Sequence, residues 1–234
     1  MRQISRLVVA GLLVSVSCFA QSAQSAAAAK PAVGTDVYHV HFNKSAIGKA
    51  GDLGKLLSTA DPSSPMPGHF VVLRHQDGDD WDYCVIEHLG TKATVDATPN
   101  KMAPTMRDLS AWHGDTFVSG PSWAEFTKAM GTDDTSKSGK AIYILSVYRA
   151  APGHRDPLEK MLTTPAQGAP VQTGQVLMQH LEGAPWNLLT ITRYNSWADL
   201  ATDRAAPSNE AGWNETREHV ASHHDTIADR ISPK

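Results

Sequence analysis

The stretch VYHVHFNKSAIGKAGDLGKLLST (residues 37–59) returns in altered form as IYILSVYRAAPGHRDPLEKMLTT (residues 142–164), at an offset of 105 (142 − 37). The same offset carries LRHQDGDDWDYCVIEHL (residues 73–89) onto MQHLEGAPWNLLTITRY (residues 178–194) without a gap. The matched pairs include Tyr38 with Tyr143, Gly48 with Gly153, His75 with His180, Trp81 with Trp186 and Ile86 with Ile191. A fixed offset held over so many positions indicates an internal duplication.

Each copy has the pattern of a strand, a helix, two further strands and a second helix. Tyr38, Val40 and Phe42 alternate with His39 and His41, which is the period of a half-buried strand. Residues 48–59 and 153–162 space their leucines as an amphipathic helix does. The turns QDGDD and EGAP predict a hairpin in each copy.

The second helix of each copy is predicted from SWAEFTKAM at residue 122 and SWADLATDR at residue 196, where serine is a natural N-cap. This match has an offset of 74 (196 − 122), so the first copy would carry an insertion of 31 residues (105 − 74), roughly residues 91–121. The second copy is predicted to continue into a long C-terminal helix at about residues 209–231. The expected repeats therefore span residues 37–131 and 142–231.

The N-terminus predicts export. Residues 1–26 hold two arginines, a short apolar run and a stretch of small residues, the pattern of a secretory signal in a bacterial periplasmic or secreted protein. Without them the formal charge moves from −3 to −5, since the 21 basic residues become 19 against 24 acidic ones. A mildly acidic chain argues against a nucleic-acid partner. No association with a membrane is expected after removal of the signal. Only Cys84 would remain of two cysteines, which excludes an intrachain disulfide.

The segment VYRAAPGHRDPLEKML, followed by a hairpin and the SWADL helix, resembles the antibiotic-biosynthesis-monooxygenase and NIPSNAP-type domains of the dimeric α+β barrel superfamily. The resemblance covers about residues 37–230. It implies an α+β fold in which duplicated ferredoxin-like units form a barrel, with antiparallel sheets covered by helices and a cavity between them. With both copies in one chain, the barrel would close within a monomer. The superfamily includes monooxygenases, isomerases, haem proteins and proteins without known activity.

The first strand supplies two candidate catalytic residues. We assign its apolar set to the helix side, so that His39 and His41 face the cavity. The matching positions of the second copy hold Ile144 and Ser146, which makes the two halves chemically unequal and favours a site in the first. The alternative is that both histidines are hydrogen-bonded polar residues on a partly wet sheet face.

The expected insertion, DLSAWHGDTFVSGPSW, supplies two more candidates. Its aromatic residues suggest a lid or binding loop. His113 and Asp115 could pair as a general base and the carboxylate that orients it. The alternative is an ordered loop in which both residues cap turns. The expected ligand contacts are Trp112, Phe117, His88, Tyr148 and Arg193.

Other histidines are assigned structural or minor roles. His75 and His180 match across the repeat, which favours a shared structural function such as bonding the backbone of the turn. His219 and His223 would lie one turn apart on the C-terminal helix, as metal-binding pairs do. His223 or His224 as a haem ligand is a separate possibility.

Three functions stay open from the sequence. The first is an exported protein that binds a small hydrophobic or aromatic molecule and acts on it without a metal or cofactor, as a monooxygenase- or isomerase-like enzyme. The second is a haem- or metal-binding oxidoreductase. The third is a non-catalytic periplasmic binding or stress protein. In each, the expected partner is a small-molecule ligand, and the chain is a monomer or a homodimer.

Overall fold

The structure, a computed structural model, describes residues 34–59, 68–97, 106–133, 140–164 and 171–232. The expected signal at residues 1–26 lies outside them. The first half contains β1 (Asp36–Ser45), α1 (Ala50–Leu57), β2 (Phe70–Asp77), β3 (Tyr83–Gly90), α2 (Lys92–Ala97), β4 (Ser110–Gly120) and α3 (Trp123–Met130). The second half contains β5 (Ile142–Ala150), α4 (Arg155–Thr163), β6 (Gln172–Glu182), β7 (Leu188–Tyr194), α5 (Trp197–Arg204), α6 (Pro207–Arg217) and β8 (Val220–Ser232).

The strands close into one barrel in the order β1-β3-β2-β8-β5-β7-β6-β4. All eight neighbouring pairs are antiparallel. The pairs β2–β8 and β4–β6 join the two halves, and their registers correspond: His75 lies opposite Ala228, and His180 lies opposite Val118. The fold is thus α+β, with duplicated ferredoxin-like units forming a barrel, as predicted. Closure within one chain is also confirmed.

The predicted insertion at residues 91–121 is wrong. This range contains α2 and β4, which take the same places in the first half as α5 and β8 in the second. Both Ser122 and Ser196 cap a helix, accepting a hydrogen bond from the backbone N–H of Glu125 and Asp199 respectively. The local signal is therefore the same, but α3 follows the fourth strand of its half while α5 precedes it. A helix cap identifies a helix start and not its position in the topology.

The predicted C-terminal helix is also wrong, because α6 ends at Arg217 and the chain continues as β8. β8 lies between β2 and β5 and pairs with both. Its buried residues are Thr226, Ala228, Arg230 and Ser232, and they alternate with more exposed ones. This period of two belongs to a strand with one face inside the barrel. Pairing on both edges overrides the helical spacing of its apolar residues.

The barrel interior is filled by apolar side chains from all eight strands. The largest core cluster includes Tyr38, Val40, Leu73, Ile86, Val118, Tyr143, Leu145, Met178, Ile191 and Ala228, together with buried Cys84. Three smaller clusters pack the outer sheet face against α1, α4 and α5. The face assignment of β1 is consequently inverted: its apolar set faces the interior, and His39 and His41 lie on the outer, helix-side face. A closed barrel this narrow is filled by its own side chains.

His75 and His180 do have a matching structural position, though not the expected one. Each ring packs edge-on against the tryptophan of its own hairpin, Trp81 or Trp186, with centroids 5.6 and 5.7 Å apart. The Nε2 atom of each is buried without a hydrogen-bond partner. Packing against tryptophan, rather than bonding to the turn, therefore accounts for their occurrence in both copies.

The contact between α3 and β6 can be tested with a pair of glycine substitutions. A Cβ atom on Gly174 would lie 1.9 Å from the carbonyl oxygen of Ala129, whereas a Cβ on helical Gly51 would meet nothing within 4 Å. Gly174→Ala should lower the free energy of unfolding by about 1–3 kcal/mol, because overpacking forces backbone shifts. Gly51→Ala should be neutral or stabilising by up to about 1 kcal/mol.

Denaturant unfolding of both variants beside the wild type measures this difference. Equal effects of the two substitutions would show that α3 does not pack against β6 as closely as described.

Candidate functional site

Four residues that the sequence singled out come together on the outer face of the barrel. His39 and His41 project from β1, and His113 and Asp115 project from the adjacent strand β4, where Asp115 lies directly opposite His41. The Nε2 atom of His39 donates to Asp115 Oδ1 at 2.8 Å. The Nε2 atoms of His41 and His113 lie 3.5 and 3.3 Å from oxygens of Asp115. We call these four residues the first-half cluster.

The three imidazoles have different electrostatic surroundings. Burial alone would lower the pKa of His39, but hydrogen bonds to Asp115 and Glu87 outweigh it and raise that pKa to about 9. Burial lowers the pKa of His41 to about 4, so this ring is neutral at pH 7. The hydrogen bond from His39 holds the pKa of Asp115 below its usual range. The cluster therefore combines a cationic imidazole, a neutral imidazole and a carboxylate.

The five expected ligand contacts do not form one site. Phe117 stacks on His39 with ring centroids 5.1 Å apart, so it packs against the first-half cluster. Trp112 lies on β4 one residue from His113 and therefore projects to the opposite face. His88 faces the interior side of β3, where its Nε2 bonds Asp36 at 2.9 Å and its ring contacts Tyr38.

The remaining two contacts belong to the second half. Arg193 is buried and donates a hydrogen bond to Thr173 Oγ1 at 3.0 Å. Its role is therefore structural, and it does not contact a ligand site. Tyr148 lies on the outer face of β5 and contacts the ring of His223, with centroids 4.7 Å apart. It lines a cleft that the sequence did not predict.

This cleft lies between the outer face of β5, β7 and β8 and the helices α4, α5 and α6, and has a volume of about 1340 Å³. We call it the second-half cleft. Its lining includes Ser146, Tyr148, Thr190, Trp213, His223 and Asp225. The ring of His223 lies between Tyr148 and Trp213, the latter with centroids 4.5 Å away. A polar floor with an aromatic wall is typical of sites for small organic molecules.

Asp225 organises the floor of the second-half cleft. The Nε2 atom of His223 lies 2.8 Å from one carboxylate oxygen, and Arg204 donates to the other at 2.8 Å. Ser146 Oγ also donates to Asp225. Burial alone would raise the pKa of this carboxyl, but these donors hold it well below its usual range. Asp225 is therefore a fixed anion that orients the imidazole of His223.

The two carboxylates occupy equivalent positions. Asp115 lies opposite His41 and Asp225 lies opposite Ser146, and residues 41 and 146 match at the repeat offset. The sequence contains this correspondence as HGDT (residues 113–116) and HHDT (residues 223–226), at an offset of 110 (225 − 115). The offset of 74 between the SW helices hides this correspondence, because these motifs follow a different offset; the matching HxDT pattern after the third strand of each copy is the signal that reveals it.

The expected helical histidine pair does not exist. His219 precedes β8, and its Nδ1 lies 2.9 Å from Nδ1 of His154. His223 and His224 are consecutive on a strand and point to opposite faces, with His224 at 3.3 Å from Asp79. His219 and His223 both line the second-half cleft, but they do not lie one turn apart on a helix, so the helical spacing that suggested a metal pair is absent.

Comparison with solved structures identifies the fold. The chain is similar to an anthrone oxidase-like protein, with a TM-score of 0.63 at 11% identity over 85% of this chain and 92% of that one. It is also similar to a proposed monooxygenase from Lactobacillus acidophilus NCFM, with a TM-score of 0.55 at 12% identity, covering 84% and 94% of the two chains. A proposed monooxygenase from Fusobacterium nucleatum gives a TM-score of 0.56 at 7% identity, covering 85% and 94%.

These similarities establish an α+β barrel fold of the kind found in monooxygenase-like proteins. No family model matches the chain, and no curated protein matches its sequence. Among the helices of the described ranges, none is long and apolar enough to cross a membrane.

The charge state of Asp225 predicts a pH dependence of stability. Its pKa is lowered in the folded state from an ordinary value of 3.8, so the unfolded chain binds this proton more readily. The stabilisation is complete above about pH 5 and is lost as the pH falls below 3.8 toward the folded pKa. Asp225→Asn should remove this contribution, and should cost about 1–3 kcal/mol at pH 7.

Denaturant unfolding between pH 2 and 7 measures both effects. Ser208→Ala, on the cleft wall, serves as the control and should keep the wild-type profile. An Asp225→Asn profile with the same acid slope as the wild type would contradict the proposed ionic role.

Proposed function

We propose that this protein is a monooxygenase-like enzyme that binds a small hydrophobic or aromatic compound in the second-half cleft and acts on it without an organic cofactor. The observation that carries the proposal is the contact between His223 and Asp225 on the floor of a large cleft with Trp213 and Tyr148 beside it. An aromatic compound can stack against these rings, which favours flat substrates.

His223 is the proposed general base. Because a carboxylate can only accept a hydrogen bond, Nε2 of His223 carries a proton and donates a hydrogen bond to Asp225. This fixes the neutral tautomer in which Nδ1 holds a free electron pair. Asp225 would then stabilise the imidazolium that forms when Nδ1 accepts a proton from the substrate, while Arg204 and Ser146 hold Asp225 in place. The arrangement is that of a base oriented by a third group.

The chemistry this arrangement suits is oxygenation of an acidic carbon. His223 removes a proton from an activated CH₂ group, and the resulting carbanion reduces dioxygen. The CH₂ group becomes a carbonyl and the second oxygen atom leaves as water, so that R₂CH₂ and O₂ give R₂CO and H₂O. The likeness to an anthrone oxidase-like protein supports this class of substrate.

Catalytic roles for His39, His41, His113 and Asp115 stay predictions, as does export through residues 1–26. The haem alternative through His223 or His224 also stays a prediction. Nε2 of His223 is hydrogen-bonded to Asp225, and His224 points to the opposite face of β8. No observation on the described residues favours haem binding over the base role of His223.

Anthrone provides a direct test, since its oxidation by O₂ gives anthraquinone and water. Wild-type protein should consume oxygen and form anthraquinone, followed by absorbance and with an oxygen electrode. His223→Asn should reduce kcat by about 100-fold, the usual contribution of a positioned base, with little change in KM. His224→Ala, its neighbour on the opposite face, should retain wild-type kinetics.

Binding is measured separately by tryptophan fluorescence, because Trp213 lines the cleft. Anthrone should quench the wild type and His223→Asn alike. Absence of both quenching and oxygen uptake would overturn the proposal, and oxygen uptake unaffected by His223→Asn would overturn the role of the base.

A further inference from the structure

We propose that His41, His113 and Asp115 bind a divalent first-row transition-metal ion, such as Zn²⁺ or Co²⁺, on the outer face of the first half. This site is independent of the second-half cleft. In the ring of strands, β1 and β4 are separated from β5 and β8 by two strands on either side, so the two sites lie on opposite sides of the barrel.

The spacing of the ligand atoms matches a metal ion of this size. One nitrogen of each histidine and one oxygen of Asp115 lie within 4.8 Å of one another. Nε2 of His41 is 3.5 Å from Oδ1 of Asp115, and Nε2 of His113 is 3.3 Å from Oδ2 of the same carboxylate. Tetrahedral zinc with bonds of about 2.0–2.1 Å separates its ligand atoms by about 3.3–3.4 Å. A metal ion could therefore be held with small side-chain adjustments.

The backbone supports this arrangement. All three residues project from paired strands, and the direct pairing of His41 with Asp115 fixes their separation. Sites built on strands hold their ligands more closely than sites built on loops. His39 donates to Asp115 Oδ1, and such an outer hydrogen bond orients a carboxylate ligand.

A second and independent observation is that Nε2 of His41 is buried without a hydrogen-bond partner. It is 3.5 Å from Asp115 Oδ1, too far for a good hydrogen bond. Buried polar atoms are nearly always paired. The rings of His75 and His180 pack edge-on against tryptophan, whereas His41 lies beside two further side chains that can ligate a metal. The unpaired nitrogen faces the other two ligands, which is where the metal ion would lie.

The second half shows what replaces a metal at the equivalent position. There Ser146 stands in the place of His41, and the cationic guanidinium of Arg204 lies 2.8 Å from Asp225. Among the described residues, the ion-pair partners of Asp115 are three histidines. The first half thus has the imidazole of His41 in place of Ser146, and the cation beside its carboxylate is the imidazole of His39, which can lose its proton, instead of an arginine, which cannot.

The site is also accessible. The side chains of His113 and Asp115 are 51% and 42% exposed, so an ion can enter without opening the barrel. Three protein ligands leave a fourth position of a tetrahedral ion free for water or a small molecule, as catalytic rather than structural zinc sites do. The proposed class of exchangeable ligand is therefore a small anion or water.

Cobalt binding tests the proposal. Protein without a polyhistidine tag is freed of metal with a chelator and titrated with CoCl₂, and ZnCl₂ is then added as a competitor. The wild type should bind one Co²⁺ per chain at micromolar or lower concentration, with visible d–d absorption that Zn²⁺ abolishes. His113→Ala and Asp115→Asn should each weaken binding by more than about 10-fold.

The control is His224→Ala, which removes another exposed strand histidine, in this case one that lies 3.3 Å from Asp79 in the turn between β2 and β3. It should bind Co²⁺ as the wild type does. Circular dichroism checks that all variants are folded. His113→Ala keeps the test valid if a change at the more buried His41 prevents folding.

Two results would overturn the proposal: the absence of saturable Co²⁺ binding up to millimolar concentration, or binding that His113→Ala and His224→Ala weaken equally. Because metal binding is measured without substrate, either result leaves the proposed function of the second-half cleft untouched.

Discussion

Closure of the barrel through the pairs β2–β8 and β4–β6 is the constraint on which the rest of the structure depends. Each half alone would expose two strand edges with unpaired backbone groups. Joining the halves pairs these edges and encloses the apolar faces of all eight strands in one core. The interior is then occupied mainly by apolar side chains, and His39, His41 and Asp115 lie on the outer face. The second-half cleft and the first-half cluster, both on the outer face, are then the places where chemistry can occur.

The two halves of the barrel place equivalent aspartates, Asp115 and Asp225, in different surroundings. Asp225 is fixed by an arginine, a serine and one histidine beneath a helical cover. Asp115 has three histidines and is more exposed, at 42% against 27%. The first arrangement suits a base that acts on an organic molecule, and the second suits a cation. Duplication thus provides two related positions that differ in charge balance.

The sequence predicts the duplicated α+β barrel because the repeat offset, the strand period and the glycine-containing turns all recur. It also predicts His39, His41, His113 and Asp115 as candidate site residues, which the structure brings together, but it does not predict that they lie on the outer face. Period-two alternation shows that a strand has two faces, but an apolar face fits a barrel interior as well as a helix layer. The local sequence of β8 predicts a helix because the pairing of this strand with β2 and β5 is set by distant residues.

The short connection from β4 through α3 to β5 has a thermodynamic consequence. In a barrel made of two chains, assembly is bimolecular and stability rises with protein concentration. Here the second half is tethered to the first, so each half meets its partner at a high effective concentration. Formation of the barrel is therefore a first-order event, and dilution does not dissociate it. The tether also ensures that every barrel contains one first-half cluster and one second-half cleft.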